Sequence, residues 1–128
     1  MLDKKTIQQK IEWVKDNDGV AWIVMGKIPD GRELCLVFGW DEGYDPDDDM
    51  IQKTVDHGGS YTYTLCSKLA VNIDDLQCDY DTDWYMPSDK TGEIWDTNTA
   101  VSKDLDLDWY VKESKEIIKA FERGDLQV

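Results

Sequence analysis

Three stretches of the chain place Asp at every second position, a pattern that could ligate a metal ion or imitate the phosphates of a nucleic acid. They are a first acidic run of Asp45, Asp47 and Asp49, a second of Asp79, Asp81 and Asp83, and a third of Asp104, Asp106 and Asp108. A calcium-binding loop of the EF-hand type begins in this way, but it also needs Gly at its sixth position and Glu at its twelfth. The three runs have Met50, Trp84 and Trp109 at the sixth position and Asp56, Lys90 and Lys115 at the twelfth. The sequence therefore excludes an EF-hand. Weak divalent binding at Asp45–Asp49 stays open as an alternative to a solvated acidic loop, but we expect no specific metal site.

The second acidic run has the period of a β-strand, so its three carboxylates are expected on one face at intervals of about 6–7 Å. In water, repulsion at about 7 Å costs only about half a kcal/mol per pair, which salt reduces further. The run therefore has two interpretations. It is either a charged edge strand that is protected from aggregation, or a set of carboxylates that a partner binds.

Residues suited to nucleophilic catalysis are few. His57 is the only histidine and could serve as a base for one of the three cysteines, Cys35, Cys66 and Cys78. Cys35 and Cys66 lie in apolar strand patterns, where unreactive buried thiols are usual, and the odd cysteine count without a CxxC pair disfavours disulfides and zinc. Paired carboxylates could act as acid and base, but with 28 acidic residues some pair always qualifies. The chain contains no Gly-rich phosphate loop, so we expect neither an enzyme nor a cofactor.

The charge of the chain is concentrated in its middle. Residues 41–108 hold 18 acidic residues and four lysines, whereas the rest of the chain is neutral, and the net charge is -14. Such a protein repels nucleic acid and attracts basic grooves of other proteins. Aromatic residues beside the acids would anchor that contact. The predicted partner-binding residues are Tyr44, Asp45, Asp47, Asp48, Asp49, Asp79, Asp81, Asp83 and Tyr85.

The length and composition predict one soluble domain over residues 1–128. A hydrophobic content of 41% and six Trp argue against disorder despite the charge. No apolar run approaches the ~20 residues of a membrane-spanning helix, and the charged N-terminus lacks the apolar core of a signal peptide. We therefore expect a cytoplasmic protein that does not bind membranes.

Hydrophobic periodicity predicts helices at both ends of the chain. Residues 3–17 place Ile7, Ile11 and Val14 at helical spacing before Asp18 and Gly19. Residues 104–124 offer Asp106 or Asp108 as an N-cap and Gly124 as a stop, with one apolar stripe formed by Tyr110, Ser114, Ile117 and Phe121.

Five strands are predicted between these helices. Residues 20–28 and 33–40 flank Pro29-Asp30-Gly31, a tight-turn signal, and are apolar enough on both faces to lie deep in a sheet. Residues 41–59 form a long acidic connection with a short helical turn around residues 50–55. Strands then follow at 60–70, 79–86 and 93–98, the last two joined as a hairpin. The predicted fold is α+β, an antiparallel sheet of about five strands with the N- and C-terminal helices packed on one face.

One segment resembles a known group of proteins. The sequence CDYDTDWYMPSDKTGEIWDTNT (78–99), preceded by YTLCSKLAVN (63–72), is similar to a recurring segment in small acidic proteins of uncharacterised function from prophages and conjugative elements of gut Firmicutes. The resemblance implies a mobile-element setting and carries no catalytic residues. Because such elements encode small acidic inhibitors, including anti-CRISPR and immunity-type proteins, it favours an inhibitor.

Taken together, these features favour a non-enzymatic acidic module that binds a basic protein surface. One form of this hypothesis is a nucleic-acid mimic that inhibits a nucleic-acid-binding protein or nuclease. Two alternatives stay open. The first is an accessory protein whose acidity serves only solubility, and the second is a small enzyme that uses Cys or paired carboxylates.

Overall fold

A computed structural model of the chain describes residues 3–42, 50–56, 60–72, 91–93 and 99–126. These residues form an α+β fold, as the sequence predicts. The elements in chain order are α1 (Lys4–Asn17), β1 (Ala21–Lys27), β2 (Glu33–Glu42), β3 (Gln52–Asp56), β4 (Ser60–Asn72), β5 (Thr91–Glu93), β6 (Thr99–Ala100) and α2 (Leu107–Glu122). No helix among the described residues is long and apolar enough to span a membrane.

Helix α1 begins and ends at the residues that the sequence indicates. The Asp3 carboxylate accepts a hydrogen bond from the Thr6 backbone N–H at 2.7 Å and so satisfies one of the free donors of the first turn. Asp18 ends the helix in the left-handed conformation, with φ at 55°. The buried residues are the predicted stripe of Ile7, Ile11 and Val14.

Helix α2 is capped in the same way. The Asp106 carboxylate accepts a hydrogen bond from the Trp109 backbone N–H at 3.1 Å, which confirms one of the two predicted N-caps. Beyond the last turn, Gly124 has φ at 80°, a conformation that favours glycine. The buried residues are Tyr110, Ser114, Ile117 and Ala120.

The first two strands form the predicted hairpin. The Gly31 N–H donates to the Ile28 carbonyl at 2.9 Å, and φ at Gly31 is 93°. Strand β1 pairs with β2 in antiparallel register, and a bulge shifts this register between Val24 and Gly26. All residues of β2 from Leu34 to Phe38 are buried, which confirms that this strand lies deep in the sheet. The same prediction is wrong for β1, which stands at the end of the described strand order and has Val24 44% exposed.

Strand β4 is the centre of the sheet. The strand order is β1-β2-β4-β3, and every pairing is antiparallel. One side of β4 pairs with β2 along nine residues. The other side is divided among three short segments, because β3 pairs with residues 60–64, β6 with residues 66–67 and β5 with residues 70–72. Segments from three parts of the chain therefore complete one edge of a single strand.

One feature of the predicted sheet is wrong, and another is not confirmed. The helical turn expected around residues 50–55 is wrong, because Gln52–Asp56 form strand β3. The backbone of β3 pairs with β4, and in an extended conformation its N–H and C=O groups gain hydrogen-bond partners on that strand. The count of five strands is not confirmed, since four longer strands and two short ones are described. The predicted strand at 79–86 lies outside the described residues, as does most of the strand predicted at 93–98.

Two buried clusters occupy opposite faces of β2. The larger combines alternate residues of β2, namely Leu34, Leu36 and Phe38, with residues of both helices and of β4. The smaller contains Val20, Trp22, Cys35 and Val37. Both helices therefore contribute to one core, and that core holds β4 and the segments paired with it in place.

Candidate functional site

The nine residues predicted to bind a partner lie outside the described part of the chain. They are Tyr44, Asp45, Asp47, Asp48, Asp49, Asp79, Asp81, Asp83 and Tyr85. The third acidic run is described, and its three carboxylates are all exposed. Within that run Asp106 already accepts the N-cap hydrogen bond of α2, so it has a structural role as well as a charge.

The points at which the acidic runs join the sheet are described. Met50, which is bonded to Asp49, forms an isolated antiparallel bridge with Ser102, two residues before Asp104. The first and third acidic runs therefore connect to paired residues at one corner of the sheet. We call the bridge of Met50 and Ser102 together with the residues bonded to it the acidic corner.

The segment that contains the second acidic run joins the sheet elsewhere. It leaves β4 after Asn72, which pairs with Thr91, whereas Tyr63 near the other end of β4 pairs with Glu42. Asn72 lies nine positions after Tyr63, which corresponds to about 30 Å along an extended strand. The segments that contain the first and second acidic runs therefore join the sheet at opposite ends of β4.

The charge is distributed unevenly between the described residues, which we call the framework, and the rest of the chain. The described residues contain 17 acidic and 13 basic side chains, a net charge of -4. The other residues contain 11 acidic side chains and Lys90 alone, which accounts for the remaining -10. Most of the excess negative charge of the protein is therefore carried by segments that the framework connects.

A groove of about 350 Å³ lies beside the acidic corner, between α1 and the Met50–Ser102 bridge. Its floor includes three apolar side chains, and two lysines from different parts of the chain line it. None of the described residues that line it is acidic, although the chain has twice as many acidic as basic residues. The lining residues are Gln8, Lys15, Met50, Ile51, Gln52, Ser102, Lys103 and Leu105.

A third lysine lies close to this groove in the chain. The Lys53 ammonium is 4.6 Å from the centroid of the Trp40 ring and 5.6 Å from that of Tyr63, and it forms an ion pair with Asp18. Burial against these rings lowers the pKa of Lys53 below its ordinary value. Cation–π contacts of this kind contribute about 0.5–1 kcal/mol at partly exposed sites. The ion pair connects Lys53 to Asp18, the residue that ends α1, and so joins the end of this helix to β3.

The two described cysteines are poorly suited to catalysis. Cys35 and Cys66 are buried and unbridged, as the sequence predicts, and Cys78 lies outside the described residues together with His57. Burial first, and the nearby Asp41 carboxylate second, raise the pKa of Cys66 from 9.0 to about 11. A nucleophilic cysteine needs the opposite shift, because the thiolate is the reactive form.

Sequence reasoning missed the groove because its walls come from three separate segments. Lys15 belongs to the polar side of α1, and Lys103 precedes a run of aspartates, so neither stands out in the sequence.

Within the described ranges, no group of three or more His, Cys, Asp or Glu is close enough together to hold a metal ion. Comparison of the chain with protein-family models, with curated proteins and with solved structures finds no match.

Proposed function

We propose that the protein is a non-enzymatic binding module that docks on a basic surface of another protein and competes there with nucleic acid. The observation that carries this proposal is the bridge between Met50 and Ser102, which connects the first and third acidic runs to one corner of the sheet. The partner in this proposal is a nucleic-acid-binding protein or nuclease. The resemblance of residues 63–99 to small acidic proteins of mobile elements agrees with such an inhibitor.

The physical basis of the proposal is the division of charge between framework and segments. A framework with a net charge of -4 provides a core, while segments with a net charge of -10 offer carboxylates to a basic groove. Like-charged carboxylates raise the rate of encounter with a basic protein and make the complex sensitive to salt. In this arrangement both helices cover one face of the sheet, which their shared buried cluster supports.

Tyr44 and Tyr85 would supply the anchors of the interface. Exposed charges contribute little free energy to a complex on their own, whereas an aromatic side chain in a desolvated pocket contributes much more. Each tyrosine lies close in sequence to an acidic run. We therefore assign specificity to the tyrosines, and steering and salt dependence to the aspartates.

The test compares three variants that each lose three negative charges. In the first variant Asp45, Asp47 and Asp49 become Asn, and in the second Asp79, Asp81 and Asp83 become Asn. The matched control replaces three exposed acids of α2 and its C-terminal end, Glu116→Gln, Glu122→Gln and Asp125→Asn. The control should keep the stability of the wild-type protein, because its three charges are exposed and such charges contribute little to folding. We expect the same of the two acidic-run variants, and urea unfolding of all three checks this.

Each protein is immobilised and offered a panel of purified basic nucleases and nucleic-acid-binding proteins. We expect the wild-type protein and the control to bind a member of the panel in competition with duplex DNA. The two acidic-run variants should bind more weakly and with a flatter salt dependence. Equal binding by all four proteins, or binding that DNA does not reduce, would contradict the proposal and favour acidity that serves solubility.

A further inference from the structure

Three groups that attract a positive charge meet around the Lys53 ammonium. It lies 4.6 Å from the centroid of the Trp40 ring and 5.6 Å from that of Tyr63, and it forms an ion pair with Asp18. We call Trp40, Tyr63 and Asp18 the cation cage. We infer that the cage binds a small organic cation with a trimethylammonium group and that Lys53 is its internal occupant. This goes beyond the proposed function, because it concerns the framework and a small molecule instead of the acidic runs, and the two can fail independently.

The pairing of the strands holds the two rings of the cage on one side of the sheet. Trp40 on β2 pairs with Leu65 of β4, and Lys53 on β3 pairs with Tyr63 of β4. Because Tyr63 and Leu65 are two positions apart, their side chains leave the same face, and Trp40 opposite Leu65 shares that face. Trp40 also packs against the main core. The fold therefore positions both rings before a ligand arrives, which lowers the entropic cost of binding.

The carboxylate of the cage is open to solvent. Asp18 ends α1, and its side chain is 72% exposed, whereas that of Lys53 is 28% exposed. The rings of Trp40 and Tyr63 are half-buried, so they form the inner side of the cage and the carboxylate forms its rim. Aromatic faces are the groups by which proteins recognise quaternary ammonium ligands, and the carboxylate adds an opposite charge.

The charges near the cage are mostly acidic. Within three positions of its members in the chain lie three acidic residues and one lysine besides the cage itself, namely Asp16, Asp41, Glu42 and Lys15. The connection at 43–49, which follows β2, adds four aspartates and no lysine or arginine. The groove beside β3 adds Lys103, which is bonded to Asp104. This part of the protein therefore attracts a cation, and Lys53 is the charge that the cation must displace.

Lys53 can leave the cage without disturbing the sheet. Cation–π contacts at partly exposed sites and exposed ion pairs each contribute little free energy. The ammonium stands at the end of a flexible four-carbon chain, so it can turn into solvent while β3 stays paired with β4. Burial lowers the pKa of Lys53, because a primary ammonium loses strong hydration there. A trimethylammonium group is more weakly hydrated, so it occupies the same position at a lower cost.

The probes are choline and its uncharged analogue, in which a quaternary carbon replaces the nitrogen, so the two share one shape and differ in charge. Each is titrated into the full-length wild-type protein and into Lys53→Thr, which removes the occupant and keeps a good strand former. NMR follows the backbone and indole N–H signals. We expect choline to shift the signals of Asp18, Trp40 and Tyr63 in Lys53→Thr with a dissociation constant of about 10 mM or below, and to bind the wild-type protein about fivefold more weakly. The uncharged analogue should not saturate at these positions.

Four further substitutions, each added to Lys53→Thr, assign the contacts. Trp40→Leu should weaken choline binding about fivefold or more, because it removes an aromatic face. Asp18→Asn should weaken it about threefold, since it removes the charge and Asn also tolerates the left-handed conformation of this residue. The matched controls are Phe121→Leu, a half-buried aromatic residue of α2, and Asp16→Asn, an exposed acid of α1. Each control should bind choline within about twofold of Lys53→Thr.

Several results would overturn the inference. One is the absence of saturation when choline is added to folded Lys53→Thr, and another is equal binding of the uncharged analogue. Equal affinity of the wild-type protein and Lys53→Thr, or equal effects of the cage and control substitutions, would also overturn it. Where Lys53→Thr does not fold, the two probes are compared on the wild-type protein alone. Choline must then still shift the Trp40 indole signal in a saturable manner, and the analogue must not.

Discussion

Tyr110 should stabilise the fold through its ring much more than through its hydroxyl group. The side chain is 6% exposed, its ring meets that of Phe38 edge-on at a centroid distance of 6.5 Å, and its hydroxyl lies 3.3 Å from the hydroxyl of Ser67. An O–H···O hydrogen bond is usually about 2.7–2.8 Å long, so this one is long and weak. We expect Tyr110→Phe to lower the free energy of unfolding by about 0.5–1 kcal/mol.

Removal of the ring should have a larger effect. Tyr110→Ala deletes a buried aromatic side chain that belongs to the cluster joining α2 to the sheet, and such changes cost about 3–5 kcal/mol. Most small domains have a stability of about 5–15 kcal/mol, so this variant is expected to fold with a much lower urea midpoint. Tyr110→Leu keeps part of the apolar volume and should lie between the two.

The measurement is equilibrium unfolding in urea, followed by tryptophan fluorescence and by far-UV circular dichroism. A double-mutant cycle with Ser67→Ala isolates the contact between the two hydroxyl groups, and we expect a coupling of about 0.5 kcal/mol. If Tyr110→Phe destabilises the protein as much as Tyr110→Ala does, the polar contact dominates. The reasoning from distance and ring packing would then be wrong.

Two further predictions concern the sheet. The unfolded Cys66 thiol ionises near pH 9.0, whereas the folded thiol has a pKa of about 11, so its contribution to stability is fully present below pH 9.0 and is lost as the pH rises to about 11. Cys66→Ala should therefore flatten the alkaline decline in the free energy of unfolding, and an unchanged decline would contradict the assignment. A Cβ at Gly26 would lie 2.8 Å from the Ile118 Cδ1 atom, so Gly26→Ala should cost about 1 kcal/mol. The same change should be nearly neutral in an Ile118→Val background, and an equal cost in both backgrounds by urea unfolding would refute the steric explanation.

The parts of the fold that depend on local signals could be predicted from the sequence. The stripe of Ile7, Ile11 and Val14 gives α1 its buried side, and Asp106 and Gly124 mark the two ends of α2. The turn at Gly31 joins the first hairpin as expected. Each of these features depends on residues within a few positions of one another, which is why periodicity and capping rules suffice.

The parts that depend on distant pairing could not be predicted in this way. Strand β3 is extended because β4 offers it hydrogen-bond partners, and its own short sequence does not specify that choice. Strand β4 lies between β2, which contains Trp40, and β3, which contains Lys53. Lys53 can therefore contact the Trp40 ring only when both strands are paired with β4. The groove likewise needs α1, β3 and residues 102–105 in place together.

One edge of β4 is paired with three short strands, and this arrangement affects which changes of sequence the fold can accept. Because β3, β6 and β5 each contribute only a few residues to that edge, the chain between them can lengthen or shorten without altering the pairing of β4 with β2. The entropic cost of a longer surface connection rises slowly with its length. Substitution and insertion can therefore remodel the connections, which carry most of the excess negative charge, while the inner strands keep their register.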